Sequence, residues 1–207
     1  MMPSLVILGA GDQGRMCLEV ARAENWNIAG FCDDTRMLGT VVDGAPILGG
    51  DVYWRTTPPD DAYRFIVGIG DQAVRLRLTC ALWEIGHRLA TLIHPRASVS
   101  AGARIGEGSI AMAGSVIGPG TEIGMGCIVN TLAGIDHDCR IGNGAHIAPG
   151  ATLCGRVHIG EACFIAAGAV VGPGVKIGRE AILGAGGVAL KDIPDAARAL
   201  GVPAKLQ

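Results

Sequence analysis

Cut every six residues, the stretch from Ile135 to Gly178 reads IDHDCR IGNGAH IAPGAT LCGRVH IGEACF IAAGAV VGPGVK IG. Each block opens on an aliphatic residue and carries a small or β-branched one at its fifth place. Extended in both directions, the step of six runs from Ile93 to Leu183, and fifteen of its sixteen positions are Ile, Leu or Val. The residue two places earlier is Ala, Ser, Thr, Cys or Val throughout, from Ala97 to Ala181. Gly follows the aliphatic residue at 106, 118, 124, 142, 160, 172, 178 and 184. A helical period of 3.6 or a heptad does not generate this pattern, whereas a parallel β-helix does. Each block supplies a short strand and a turn. Three blocks close a coil of about 18 residues, so the run makes about five coils stacked at about 4.8 Å. The aliphatic residue points inward, and the small one fits the tight corner. Cys127, Cys139 and Cys163 fall on the small-residue phase and read as buried structural thiols. The phase never slips, which leaves flat faces suited to packing between subunits.

The composition divides at the same place. Seven of the eight aromatics precede residue 90, while 21 of the 33 Gly lie between Gly102 and Gly187. The expected domains are therefore 1–92 and 93–207. In the first, Leu5–Leu8, Ile28–Cys32 and Tyr63–Ile69 read as strands. Arg15–Ala23 and Gln72–Ile85 read as helices, the first with Met16, Val20 and Ala23 on one face, the second with a Val74, Leu78 and Leu82 stripe. Alternating strands and helices imply a mostly parallel sheet. The fold class is thus α/β plus β: a small Rossmann-like unit, then a β-helix.

Charge and hydropathy narrow the function. A mean hydropathy of +0.39 and a net charge of −2 exclude a disordered chain. Near-balanced charge gives no footprint for nucleic acid. No run approaches the roughly 18 apolar residues of a membrane span. Seven Cys without a C-x-x-C pair fit a reducing compartment, and the opening apolar stretch lacks a basic n-region, so a cytoplasmic protein is expected.

Several motifs together carry a family resemblance. In the first part they are Ile7-Leu8-Gly9-Ala10-Gly11, Phe31-Cys32-Asp33-Asp34, and Gly68-Ile69-Gly70-Asp71 with Arg75. In the second they are Leu92-Ile93-His94-Pro95, Asn130-Thr131, Ile135-Asp136-His137-Asp138-Cys139, His146-Ile147-Ala148-Pro149-Gly150-Ala151, and the tail Gly201-Val202-Pro203-Ala204-Lys205. The chain resembles the hexapeptide-repeat acyltransferases, in particular the sialic acid O-acetyltransferase and nucleotide-sugar N-acetyltransferase family. That resemblance implies a left-handed coil and acetyl transfer from acetyl-CoA to a sugar, without a metal. It implies that His137 is the catalytic base and that Asp138 orients it. It places the acetyl thioester against His146, and coenzyme A along Gly155, Ala167 and Ala185. It puts a nucleotide-linked amino sugar near Gly11, Asp12, Gln13, Asp33, Asp34 and Gly70. Gln13 departs from the family, which commonly has His there.

The residues themselves allow this chemistry. A sugar ammonium must lose a proton before its nitrogen can attack, and His is the side chain matched to that task near neutral pH. An adjacent carboxylate can fix the imidazole tautomer. Asp136 and Asp138 flank His137; neighbouring residues on a strand point to opposite sides, so at most one carboxylate supports the ring, and the resemblance selects Asp138. His137 and His146 are nine residues apart, half a coil, and would meet only across a subunit boundary. A homotrimer with active sites between subunits is expected. O-acetylation of sialic acid is the nearest alternative. The Gly9-x-Gly11-x-x-Gly14 turn with Asp33 nineteen residues on also fits NAD, although about 90 residues make only one mononucleotide half. A scaffold is a further alternative. A zinc site like that of the γ-type carbonic anhydrases needs three converging His, and the spacing of His137, His146 and His158 shows no close pair.

Overall fold

A computed structural model describes residues 3–207; Met1 and Met2, the first residues of the expected 1–92 domain, lie outside it. The front unit contains β1 (Ser4–Leu8), α1 (Asp12–Ala23), β2 (Asn27–Cys32), β3 (Val41–Val42), β4 (Ala45–Gly49), α2 (Asp51–Thr56), β5 (Tyr63–Val67) and α3 (Gln72–Ile85). The sheet order is β3-β4-β2-β1-β5, parallel except for the β3–β4 hairpin. Strand β1 lies between β2 and β5, an inner place that suits its two apolar faces; Leu5, Val6 and Ile7 are fully buried. The chain leaves β1 toward β2 on one side, and β5 returns on the other. The carboxyl ends of β1, β2 and β5 therefore splay around a crevice, the position at which open α/β sheets bind ligands.

The helices differ in detail from the sequence reading. Helix α1 starts at Asp12, three residues early, because Gly11 serves as its N-cap. Its buried stripe is Cys17, Leu18, Val20 and Ala21, and Met16 is exposed. Helix α3 spans Gln72–Ile85 as expected, with Asp71 capping the Val74 N–H at 2.9 Å. Besides Leu82 it buries Arg75 and Thr79. Strand β5 ends at Val67 rather than Ile69, and the β3–β4 hairpin and α2 carry no clear period in sequence.

From Leu92 to Ala189 the chain winds in coils of two-residue strands, each pairing in parallel with the strand eighteen residues away; an antiparallel pair, Arg198–Leu200 with Lys205–Leu206, closes the end of the first face. Three faces result. Face 1 carries Leu92–Ile93, Ile110–Ala111, Ile128–Val129, His146–Ile147, Phe164–Ile165 and Ile182–Leu183. Face 2 runs from Ser98–Val99 to Val188–Ala189, and face 3 from Arg104–Ile105 to Lys176–Ile177. The inward aliphatic residues and the small corner residues fuse into one core.

The repeat is written in the backbone as well. From Gly108 to Gly186, the third residue after each inward aliphatic has positive φ at fourteen successive corners, nine of them Gly. This left-handed turn costs little without a Cβ, which accounts for much of the Gly excess. A second use of Gly is close approach. At Gly106 a Cβ would run into the backbone of Gly124 in the next coil. The small-residue phase also donates hydrogen bonds between coils. Ser109 Oγ donates to the Gly124 carbonyl (2.8 Å), Thr121 Oγ1 to that of Asp136 (2.7 Å), and Cys127 Sγ to that of Gly142 (3.2 Å). Burial pushes the Cys127 thiol up to about 11, which keeps it a donor.

Face 1 is where the two units meet. Its outward residues Leu92, Ile110 and Ile128 share one core with Leu5, Ile7 and Leu18 of the front unit. The next outward residue along this face is His146. No helix among the described residues is long and apolar enough to cross a membrane.

Candidate active site

The crevice at the carboxyl end of the front sheet is a cavity of about 450 Å³. Gly11, Asp12, Gln13, Asp33, Asp34 and Gly70 all line it, so the six residues expected around the sugar nucleotide share one space. The two Asp of β2 also have structural work. Asp33 Oδ2 accepts the Ala10 N–H (2.8 Å), while its Oδ1 accepts the Thr35 N–H (2.9 Å) and hydroxyl (2.6 Å). These bonds to the charged form hold its pKa below the ordinary Asp value against the effect of burial. Asp33 thus braces the Gly-rich turn, and three of its acceptor positions are taken. That leaves it poorly placed as the free ribose acceptor of a dinucleotide fingerprint. Asp34 Oδ1 accepts the Asp51 N–H (2.9 Å) at the start of α2. Sequence reasoning missed Asp51 and Arg77, which also line the cavity. Helical phase gives α3 an outward Arg, but only the fold brings it over the crevice.

His137 lies elsewhere, at the corner between faces 2 and 3. The segment is a turn between the strands Gly134–Ile135 and Arg140–Ile141, not a strand, so alternation of side chains does not govern it. Asp138 occupies the left-handed position (φ 56°), and this bend swings its carboxylate back to the ring. Its Oδ2 is 2.9 Å from His137 Nδ1. The other flanking carboxylate does a different job: Asp136 Oδ1 accepts the His137 backbone N–H at 2.8 Å. With Nδ1–H donating to Asp138, Nε2 carries a free lone pair. The His137 side chain is 40% exposed. Its ring lies over Gly155, one coil on, where a Cβ would overlap Nε2.

His146 is in a different environment. Burial is the main cause that lowers its pKa to about 4, and the charge of Arg75 adds to it. Asn130 fixes the tautomer. Its Oδ1 accepts the Thr131 N–H (2.8 Å), so its Nδ2 faces His146 Nε2 at 3.1 Å and donates. Nε2 is therefore an acceptor and Nδ1 carries the proton. The ring of Phe164 packs 5.2 Å away.

Within one chain, His137 and His146 lie on different parts of the prism, as their nine-residue spacing implied. The expected coenzyme A residues also separate. Gly155 is at the corner of faces 2 and 3 beneath His137, whereas Ala167 and Ala185 stack exposed at the corner of faces 1 and 2. Beside them Gly168 and Gly186 have open space at their Cβ positions, so a smooth strip of backbone is available to a thin ligand. Among the described residues no group of three or more His, Cys, Asp or Glu could hold a metal ion.

A Rossmann-like front unit with an open crevice, docked on a hexapeptide coil with a carboxylate-supported His, defines a two-domain hexapeptide transferase. The PglD N-terminal domain family matches residues 4–82, and the bacterial transferase hexapeptide family (six repeats) matches 120–155 and 156–188. The chain is similar to PerB from Caulobacter crescentus, solved in complex with CoA and GDP-perosamine. The two share 38% identity with a TM-score of 0.94, over 100% of this chain and 98% of that one. It is similar also to the acetyltransferase domain of PglB from Neisseria gonorrhoeae FA1090 in complex with acetyl coenzyme A, at 36% identity and TM-score 0.94 over 100% of both chains. A UDP-N-acetylbacillosamine N-acetyltransferase of Bacillus subtilis (strain 168) is 35% identical over 121 residues, 54% of this chain. The matched stretch spans about half, 52%, of that curated relative. The chain belongs to the nucleotide-sugar N-acetyltransferase family of hexapeptide-repeat, left-handed β-helix proteins.

Proposed function

We propose that this protein transfers an acetyl group from acetyl-CoA to the amino group of a nucleotide-linked amino sugar. The observation that carries this reading is the His137 imidazole, tied to Asp138 through Nδ1 and free at Nε2. In this role the sugar ammonium first gives one proton to solvent, the free amine's lone pair attacks the thioester carbonyl carbon, and Nε2 accepts the second proton that the nitrogen sheds as the C–N bond forms. Asp138 stabilises the imidazolium that forms. The C–S bond breaks, and Nε2–H returns the proton to the departing sulfur. Acetyl-CoA supplies the activated acetyl group, and Gly155, Ala167 and Ala185 are the residues proposed to lie along it. The sugar nucleotide occupies the crevice of Gly11, Asp12, Gln13, Asp33, Asp34 and Gly70. Relatives that act on or bind nucleotide-linked sugars support this choice over sialic acid.

The crevice and His137 belong to different parts of the chain, which favours a trimer with each site completed by a neighbour. Face 2 suits such contact: its outward residues include Val116, Gly134, Thr152, Val170 and Val188, all uncharged and small. Both proposed substrates are cytoplasmic metabolites, which supports that compartment. The test follows free-thiol release with acetyl-CoA and a panel of UDP-, GDP- and dTDP-linked amino sugars. Wild type is expected to release thiol with at least one sugar, and His137→Ala to lose most of the rate. A His137→Ala variant at wild-type rate overturns the assignment of the base. An enzyme that acetylates free sialic acid but no nucleotide sugar overturns the acceptor.

A further inference from the structure

Arg75 is 1% exposed, near the start of α3. It forms no ion pair with any described carboxylate. Its guanidinium instead donates to carbonyls from both domains. Nη1 reaches Ile69 (2.9 Å) and Gly70 (2.8 Å), in the loop between β5 and α3. Nε reaches Gly126 (2.8 Å) and Nη2 reaches Gly144 (2.7 Å), at left-handed corners of two successive coils. Burying a charge with only neutral partners is costly. A side chain serving only to fill space between domains could be apolar at lower cost. Arg is suited to this place because its planar fork fixes several acceptors at once.

The acceptors are functionally placed. Gly70 lines the sugar-nucleotide crevice. The corner at Gly144 leads directly into the strand that begins at His146. We infer that Arg75 is a positioning residue, a clamp that fixes the crevice loop at Gly70 against the coil carrying His146 and so sets where the bound sugar points. The inference rests on the acetyltransferase reading above. The groups facing the His146 ring are Asn130, Phe164, the Gly70 carbonyl and Arg75, and Arg75 is the charged one. Burial is the main cause that keeps that imidazole neutral; the charge of Arg75 adds to it, and the Gly70 carbonyl pulls the other way.

The test uses Arg75→Lys, which keeps charge but loses the fork, and Arg75→Met, which loses both. Assembly and acetyl-CoA KM are measured first, then kcat/KM for the nucleotide sugar, then the His146 titration by nitrogen-15 NMR. For both variants acetyl-CoA KM is expected within about twofold of wild type. The sugar kcat/KM is expected to fall about 10- to 100-fold, the scale of a displacement of about 1 Å. His146 in Arg75→Met is expected to protonate at higher pH than in wild type, and in Arg75→Lys to stay near wild type. Loss of packing alone does not separate the two variants in this way. Should one variant fail to fold, the other carries the test through sugar kcat/KM. A folded variant with wild-type sugar kcat/KM and wild-type His146 titration overturns the inference. If the wild type itself transfers no acetyl group, the proposed function falls, and the clamp is judged on the His146 titration and on hydrogen exchange at Gly70 and Asp71.

Discussion

Oδ2 of Asp138 lies 2.9 Å from Nδ1 of the residue before it, His137. A contact between adjacent side chains needs a sharp bend, and Asp138 supplies it by taking the left-handed conformation that Gly holds at nine of the fourteen equivalent corners. Asp accepts that conformation better than most residues. Replacing Asp138 by Asn keeps the shape and removes the charge. The expected result is a fall in kcat of about 10- to 100-fold with little change in either KM, because the carboxylate acts on the imidazolium formed during reaction. Asp138→Gly retains the turn and loses the partner, and is expected to fall at least as far. Steady-state kinetics on both variants checks this.

Gly155 separates two roles. The sequence resemblance makes it a coenzyme A contact, whereas the geometry makes it the floor beneath the His137 ring. Gly155→Ala is expected to displace the ring and lower kcat about 100-fold, with acetyl-CoA KM changed less than threefold. Ala185→Trp, at the open corner far from His137, is expected to do the reverse and raise acetyl-CoA KM. If Gly155→Ala raises that KM and spares kcat, the cofactor-contact role prevails.

His146 links acidity to stability. Its pKa is lowered to about 4, while an unfolded His titrates near 6.5. Between those values the unfolded chain binds more protons than the folded one. Stability is therefore fully present above pH 6.5 and is lost as pH falls toward 4, by up to about 3 kcal/mol if this group acted alone. His146→Gln is expected to flatten the slope of the urea midpoint between pH 6.5 and 5. An unchanged slope shows that other groups carry the acid sensitivity.

What was legible in sequence follows from how local each feature is. The coil could be read because one inward position recurs every six residues and each repeat meets only its neighbours; Ile135, Ile141 and Ile147 announce it without tertiary information. The same holds for Asp138, whose partner is adjacent. The resemblance assigns Asp33 to the ligand, but its bonds to Ala10 and Thr35 depend on how β1 and β2 pair. In sequence Arg75 reads only as one member of a motif, because its acceptors Gly126 and Gly144 lie 51 and 69 residues away. Helical spacing groups Met16 with Val20 and Ala23, but the face α1 turns to the core carries Cys17, Leu18, Val20 and Ala21 and leaves Met16 exposed, because which face is buried depends on the sheet it packs against.

The corner phase predicts tolerance as well as damage. Cys127 donates to the Gly142 carbonyl just as Ser109 and Thr121 donate to the carbonyls fifteen residues after them. Cys127→Ser preserves the donor and nearly the volume, so a change in stability under about 1 kcal/mol is expected. Leu153→Ala, at an inward position that is fully buried, is expected to cost about 2–5 kcal/mol by opening a cavity. Urea unfolding of the two variants compares them directly.

Charge in the crevice makes the last prediction. Asp12, Asp33, Asp34 and Asp51 line it, and among the described residues Arg77 is its one basic lining residue. Under the proposed function a nucleotide sugar brings a diphosphate into this acidic space, and the anion then needs compensation. The start of α1 provides part of it, because Gly11 caps the helix without a side-chain bond and leaves backbone N–H groups available. Arg77 is expected to provide the mobile part through a charge-assisted bond to a phosphate oxygen. Arg77→Ala is expected to raise the nucleotide-sugar KM about tenfold or more, with acetyl-CoA KM unchanged. Added salt is expected to weaken sugar binding in wild type more than in the variant, since the exposed cation is the screened one. A nucleotide-sugar KM within twofold of wild type places the diphosphate away from α3 and leaves the helix start as its sole anchor.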